Sequence, residues 1–142
     1  MDIWECDPGV YFESDPELDF AIVGVKKKDG IAVGEVFDYF DVRKLGRIEK
    51  KNHVNILGHP DGRKMEIAFR DNYAKAVKRT FIQYETDTQP GSSGSPVLDD
   101  SFKLVALHSQ SVRHPVFVHH VYRNQGFQVS AILQKLGTRD FK

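Results

Sequence analysis

The chain has 142 residues, 20 basic and 20 acidic side chains, zero formal charge and a single cysteine. That length holds one core and excludes two full-sized domains, and the balanced charge excludes an obligatory nucleic-acid or membrane partner. Cys6 alone rules out an internal disulfide, Met1-Asp2-Ile3-Trp4-Glu5 carries no secretory pattern, and no apolar run approaches a membrane span, so the expected location is intracellular, cytoplasmic or nuclear. In chain order, residues 1–17 are acidic and contain Pro8, Gly9 and Pro16, which predicts loop. Residues 20–25 predict a buried strand, stopped by Lys26-Lys27-Lys28-Asp29-Gly30. Residues 31–40 are apolar and partly alternating, either a strand or a connector, and residues 41–51 are polar and charged. Strand-like runs follow at 53–57, 64–69, 77–84, 95–98, 104–108, 117–122 and 127–129. Turn pairs such as Asp61-Gly62, Asp71-Asn72 and Asp99-Asp100 separate several of them. Short strands with turn signals between them predict an all-β barrel or sandwich rather than a parallel sheet. Only the end predicts a helix, with Ser130 as cap, Ala131-Ile132-Leu133 and Leu136 as apolar face and Gly137 as stop.

The tract Pro90-Gly91-Ser92-Ser93-Gly94-Ser95-Pro96-Val97 carries the strongest chemical signal. Glycine at 91 lets the backbone turn its amides into a cavity. There the N–H groups of Gly91 and Ser93 can hold a developing oxyanion. Gly94 keeps a side chain off the path of attack on Ser93. A plain Gly/Ser linker has a similar composition. Against it, the tract is short, runs straight into Pro96-Val97-Leu98, and is followed at hairpin spacing by Leu104-Val105-Ala106-Leu107-His108.

These residues resemble the trypsin-like serine peptidases, nearest the glutamyl-endopeptidase-like and intracellular trypsin-like branches. The resemblance implies Ser93 as nucleophile and the Gly91 and Ser93 amides as oxyanion hole. Leu18-Asp19-Phe20-Ala21-Ile22-Val23-Gly24-Val25 resembles the family's aspartate motif, making Asp19 the residue that orients the base; the plainer role is a strand-start aspartate accepting backbone hydrogen bonds. Val54-Asn55-Ile56-Leu57-Gly58-His59-Pro60-Asp61-Gly62 resembles the first strand and turn of the second barrel. The implied fold is the C-terminal six-stranded barrel of a double-barrel protein at 52–142, with a short C-terminal helix, a connector at 31–51 and a remnant of the first barrel at 1–30. An exposed apolar seam is expected where the rest of the first barrel would pack. Thr88 and His108 stand at the offsets that line the substrate pocket, and their donors suit a glutamate, glutamine or aspartate ahead of the cut bond. Ser92 replaces the aspartate that digestive trypsins use to pair with a newly cut N-terminus, so activation by that route is not expected. Ser95, two residues past the nucleophile, replaces a glycine, as is ordinary in the branches resembled.

The general base is missing from its expected place. The first histidine is His53, and none of the eighteen residues ahead of Asp19 is a histidine. A serine hydroxyl without an adjacent base is a weak nucleophile, and loss of one triad member leaves about 10³–10⁴-fold catalysis over water. His59, in a Gly-His-Pro-Asp-Gly turn, and His108, at a strand end, are the candidate substitutes. The expectation is a serine endopeptidase domain lacking its histidine-bearing portion and inactive alone, with a polypeptide substrate and either a missing N-terminal half or a partner chain. The alternative is a non-catalytic module that binds peptides or proteins through the old cleft; an interaction domain with no cleft role is the weaker third. No cofactor or metal is expected. His119 and His120 point to opposite faces of a strand, and no carboxylate or cysteine stands at ligand spacing. The basic clusters at 26–28, 43–51 and 75–79 lack interleaved aromatics, so nucleic acid and membrane are not expected partners.

Overall fold

The computed structural model describes residues 3–69, 72–86, 90–116 and 119–137, with residues 114–116 and 119–121 described by their backbone. Two compact units divide the chain, Met1–Phe40 and Asp41–Lys142.

In the first unit, β1 (Cys6–Asp15) pairs antiparallel with β2 (Phe20–Val25). The loop expected over residues 1–17 is therefore largely strand. Pro8 and Gly9 lie where the register jumps between Asp7 and Phe12. An irregularity of this kind accommodates a residue that cannot donate to the ladder. The turn into β2 is held by Asp15, whose Oδ1 accepts the N–H groups of Glu17 and Leu18, each at 2.9 Å. Within the ambiguous 31–40 segment, α1 (Val33–Val36) forms a single turn, and the Ala32 N–H donates to Glu35 Oε1 at 2.9 Å.

The second unit holds one sheet built from β3 (Asn55–Gly58), β4 (Glu66–Ala68), β5 (Tyr73–Val77), β6 (Phe81–Glu85), β7 (Pro96–Leu98), β8 (Leu104–Val116) and β9 (His119–Gln128). The strand order is β4-β3-β7-β8-β9-β6-β5 and every pair is antiparallel. The all-β expectation holds, with seven strands in this sheet rather than six. The lead-in to β3 also bonds to β5 and the residue before it: Lys51 N–H to the Ala74 carbonyl at 2.8 Å and Val54 N–H to the Asn72 carbonyl at 2.9 Å.

Several of the expected runs are divided differently. The 77–84 run crosses a turn in which Lys78 N–H donates to the Phe81 carbonyl at 2.9 Å. Residues 104–108 belong to β8, and residues 119–122 and 127–128 both belong to β9; the two strands pair from Ala106↔Gln128 to Val116↔His119, and Val129 lies beyond them in the C-terminal helix.

The main core gathers Val54, Ile56, Ile82, Tyr84, Val97 and Ala106, all buried. Full burial of each valine or isoleucine among them contributes about 1.5–3 kcal/mol. A second cluster joins Leu98 and Leu104 to Val129, the first residue of α2 (Val129–Leu136). The helix starts before the expected cap: Gln128 is the cap residue, its N–H bonded to the Thr80 carbonyl at 2.8 Å, while Ser130 lies exposed inside the helix. Tertiary bonds to the β5–β6 turn set this boundary. Gly137 closes the helix as expected, with φ 76° and its N–H on the Leu133 carbonyl. No described helix is long and apolar enough to cross a membrane.

Candidate active site

The loop into β7 is a tight turn in which Ser95 N–H donates to the Ser92 carbonyl at 3.1 Å. Ser93 and Gly94 occupy its two central positions. The second requires positive φ in one common turn type, and Gly94 supplies φ 83°. Gly91 has φ 91° and a second constraint: a Cβ there would stand 3.2 Å from the His59 carbonyl oxygen and 3.4 Å from Asp61 N. The turn at 59–62 is thus packed under the loop, and Asp61 N–H bonds to the Pro90 carbonyl at 2.8 Å. From the other side, Gly94 N–H donates to the His108 carbonyl and His108 N–H to the Ser95 carbonyl, both at 2.8 Å. Gly58 is equally constrained, because a Cβ would meet Ser95 Oγ at 2.6 Å.

This framework buries Ser92 and Ser95 and leaves Ser93 exposed. The Ser93 hydroxyl donates to the Ser109 carbonyl at 3.0 Å. The N–H groups of Gly91 and Ser93 donate to no other described residue. The loop therefore holds one presented hydroxyl and two uncommitted amide donors. A hydroxyl hydrogen resting on a carbonyl is not activated, because a carbonyl oxygen is not a base at neutral pH.

His108 is buried at the end of the β7-paired part of β8, and its Nδ1 lies 2.7 Å from the hydroxyl of the fully buried Tyr84. Tyr84 has no other acceptor among the described residues, so its O–H donates to Nδ1 and the imidazole carries its hydrogen on Nε2. Burial lowers the His108 pKa and raises that of Tyr84, keeping both neutral. His108 is thus committed to Tyr84 at one nitrogen and keeps an N–H donor at the other. On β9, a Cβ at Gly126 would meet the Leu107 carbonyl at 2.8 Å and the Tyr84 hydroxyl at 3.3 Å, so only glycine lets that strand pass.

Neither other histidine with a described side chain contacts Ser93. His59 Nδ1 is 2.9 Å from the Arg63 carbonyl, and the His53 ring packs edge-on against Tyr73. Asp19 belongs to the first unit, in the turn directly before β2, exposed and with φ 45°. Thr88 lies outside the described residues. Nearby, Thr86 carries a buried hydroxyl without a partner, and its carbonyl accepts Asn124 Nδ2 at 2.7 Å. The structure thus gathers Gly91, Ser93 and His108 in one place. It adds Tyr84 and Ser109, which the sequence does not single out: Tyr84 reads there as the last residue of the 77–84 run, and Ser109 falls just past the expected 104–108 strand.

The chain belongs to the trypsin-like peptidase domain family, whose pattern it matches over residues 7–107. It is similar to the uncharacterized protein y4fB of Sinorhizobium fredii (strain NBRC 101917 / NGR234), 28% identical over 105 residues, covering 67% of this chain and 16% of that protein. It is also similar to exfoliative toxin A of Staphylococcus aureus, 22% identical over 98 residues, covering 68% of this chain and 35% of the toxin. The chain thus spans well under half the length of either relative.

Proposed function

We propose that this chain carries the nucleophile and oxyanion hole of a serine endopeptidase, in a branch like the glutamyl endopeptidases. The supporting observation is the Gly91–Ser93 loop, with its exposed hydroxyl beside two uncommitted amides. In the proposed reaction Ser93 Oγ attacks a peptide carbonyl carbon, and the displaced electron pair settles on the oxygen between the Gly91 and Ser93 N–H groups. A base takes the Oγ proton and returns it to the departing amine as the C–N bond breaks; water then releases the acyl group by the same path. Asp19 orients the imidazole that serves as base. That imidazole comes from a histidine-bearing portion beyond these 142 residues or from a partner chain, and without it the chain is inactive. The Nε2–H of His108, with Thr88, favours an acidic or amide side chain on the residue whose carbonyl is attacked.

A second reading, a non-catalytic module that binds peptides in the same cleft, is favoured by the Ser93 hydrogen bond to the Ser109 carbonyl. Labelling with a fluorophosphonate separates the two. The 142-residue chain is expected to label no more than its Ser93→Ala variant, and a longer form that supplies the base is expected to label strongly. Absence of labelling in both forms favours the binding module. Strong labelling of the short chain means that a base within it has been overlooked.

A further inference from the structure

The basic clusters at 43–51 and 75–79 have no part in the proposed reaction. The fold brings them together. Lys51 N–H donates to the Ala74 carbonyl at 2.8 Å and Ala74 N–H to the Asn52 carbonyl at 2.9 Å, which lays the first cluster along β5. Its other end is fixed by Gly46 N–H on the Leu104 carbonyl at 2.9 Å and by Arg47 N–H on Asp99 Oδ2 at 3.3 Å. Lys78, just past β5, gives its N–H to the Phe81 carbonyl and accepts Gln128 Nε2 on its own carbonyl. Both clusters are therefore held by backbone bonds while their side chains remain at the surface.

Two cavities lie between them in the second unit. One, of about 430 Å³, is lined by Lys50, Lys75, Val77 and Lys78. The other, of about 550 Å³, is lined by Val42, Arg43, Leu45, Arg47 and the start of α2. Ile48 and Glu49 line both, so the two form one groove. Its floor is apolar. Ile48 belongs to the main core, Val77 packs against that core, and Val42 and Leu45 pack against the cluster around Leu98. Its rim is cationic. Lys75 is paired with Glu85 at 2.6 Å and Arg43 with Asp41 at 2.8 Å. Arg47, Lys50 and Lys78 are exposed, and none of the three has an ion pair among the described residues. Glu49, where the two cavities meet, is the one acidic residue among the described residues that line the groove.

We propose that this groove docks an acidic polypeptide segment of another protein, one with apolar side chains between its carboxylates. The carboxylates meet Arg47, Lys50 and Lys78, and the apolar side chains cover the floor at Ile48 and Val77. Charge complementarity of this kind selects the partner more than it adds affinity. Other polyanions fit less well. A nucleic-acid strand, charged at every unit, meets Glu49 in the middle of the groove, and no aromatic ring among the described residues lines it to stack a base. A flat anionic bilayer leaves the apolar floor between the cations unfilled. No residue of the groove belongs to the serine loop or to His108, so docking and the chemistry at Ser93 stand or fall separately.

The test is fluorescence anisotropy of a short labelled peptide alternating glutamate and leucine, titrated with the full chain. Saturable binding is expected, weakening as salt is added. Lys50→Ala combined with Lys78→Ala should weaken it about fivefold, as for two exposed ion pairs. Glu49→Gln should tighten it, because a like charge leaves the groove. Two altered peptides need no change to the protein: glutamine in place of glutamate, and serine in place of leucine, should each bind more weakly. Ser93→Ala should bind as the unaltered chain does, so a failure of hydroxyl labelling and a failure of docking are distinguishable. Absence of binding overturns the proposal, as does binding indifferent to the Lys50 and Lys78 substitutions. Equal affinity for the serine peptide overturns it too, because the groove then acts by charge alone. Tighter binding of a single-stranded oligonucleotide or of phosphatidylserine vesicles, lost in the same double variant, would assign the groove to that partner instead.

Discussion

Tyr84 and His108 form the most consequential side-chain pair in the second unit, because both are buried and each needs the other. Tyr84→Phe removes the donor and leaves His108 Nδ1 facing the interior unbonded. The expected loss is about 1–3 kcal/mol, read as a lower urea midpoint at unchanged slope. The same burial sets a pH dependence. Desolvation lowers the His108 pKa below 6.5, so in mild acid the unfolded chain binds the proton more readily than the folded one. Stability from this residue is therefore complete above pH 6.5 and lost as the pH falls through 6.5 toward the folded value. The urea midpoint should drop over that window, and the non-titrating variant His108→Gln should show a smaller drop. Asp41 does not confuse the comparison, because hydrogen bonds from Arg43 hold its carboxyl at about 2.

The glycine-rich loop and the strands around it show where sequence is legible and where it is not. Gly91 and Gly94 were legible because two glycines flanking a serine pair, ahead of a Pro-Val-Leu run, have few other backbone uses. The two glycines are nonetheless unequal. Both have positive φ, but Gly94 faces open space while Gly91 lies against the 59–62 turn. Gly94→Ala should cost about 1–2 kcal/mol for the left-handed backbone alone. Gly91→Ala should cost more and lower the melting temperature further, because the turn at 59–62 must also shift. Equal melting points for the two variants would contradict this account. β1 was illegible because Pro8 and Gly9, the residues that argue for loop, sit in a register irregularity rather than in regular ladder. The outer half of β8 was illegible because Ser109-Gln110-Ser111 has loop composition, and only pairing with β9 makes it strand. Tyr84 escaped notice because its role depends on a histidine 24 positions away that only the sheet brings near. Asp19 was legible only through family resemblance; its turn position and exposure carry no catalytic signature of their own.

At the scale of the whole molecule, the two units differ in how they are held together. The second has seven strands, a helix and a core of fully buried side chains such as Val54, Ile82 and Val97. In the first, Asp15 and Phe20 are the buried residues among those described, while Val10 is 60% exposed and Phe12 57% exposed. Two-stranded hairpins are marginal by themselves, and burial of one phenylalanine supplies only about 1.5–3 kcal/mol against the ordering cost of the strands. The units should therefore open separately. Amide hydrogen exchange should find β1 and β2 unprotected at denaturant concentrations where β6, β8 and β9 remain protected to the level of global unfolding. Within the second unit, protection should fall along β8 from Leu104 toward Val116, because its inner half is bonded on both sides and its outer half to β9 alone. Uniform protection across both units, falling together with denaturant, would mean that the hairpin draws its stability from contacts that its own small core does not supply.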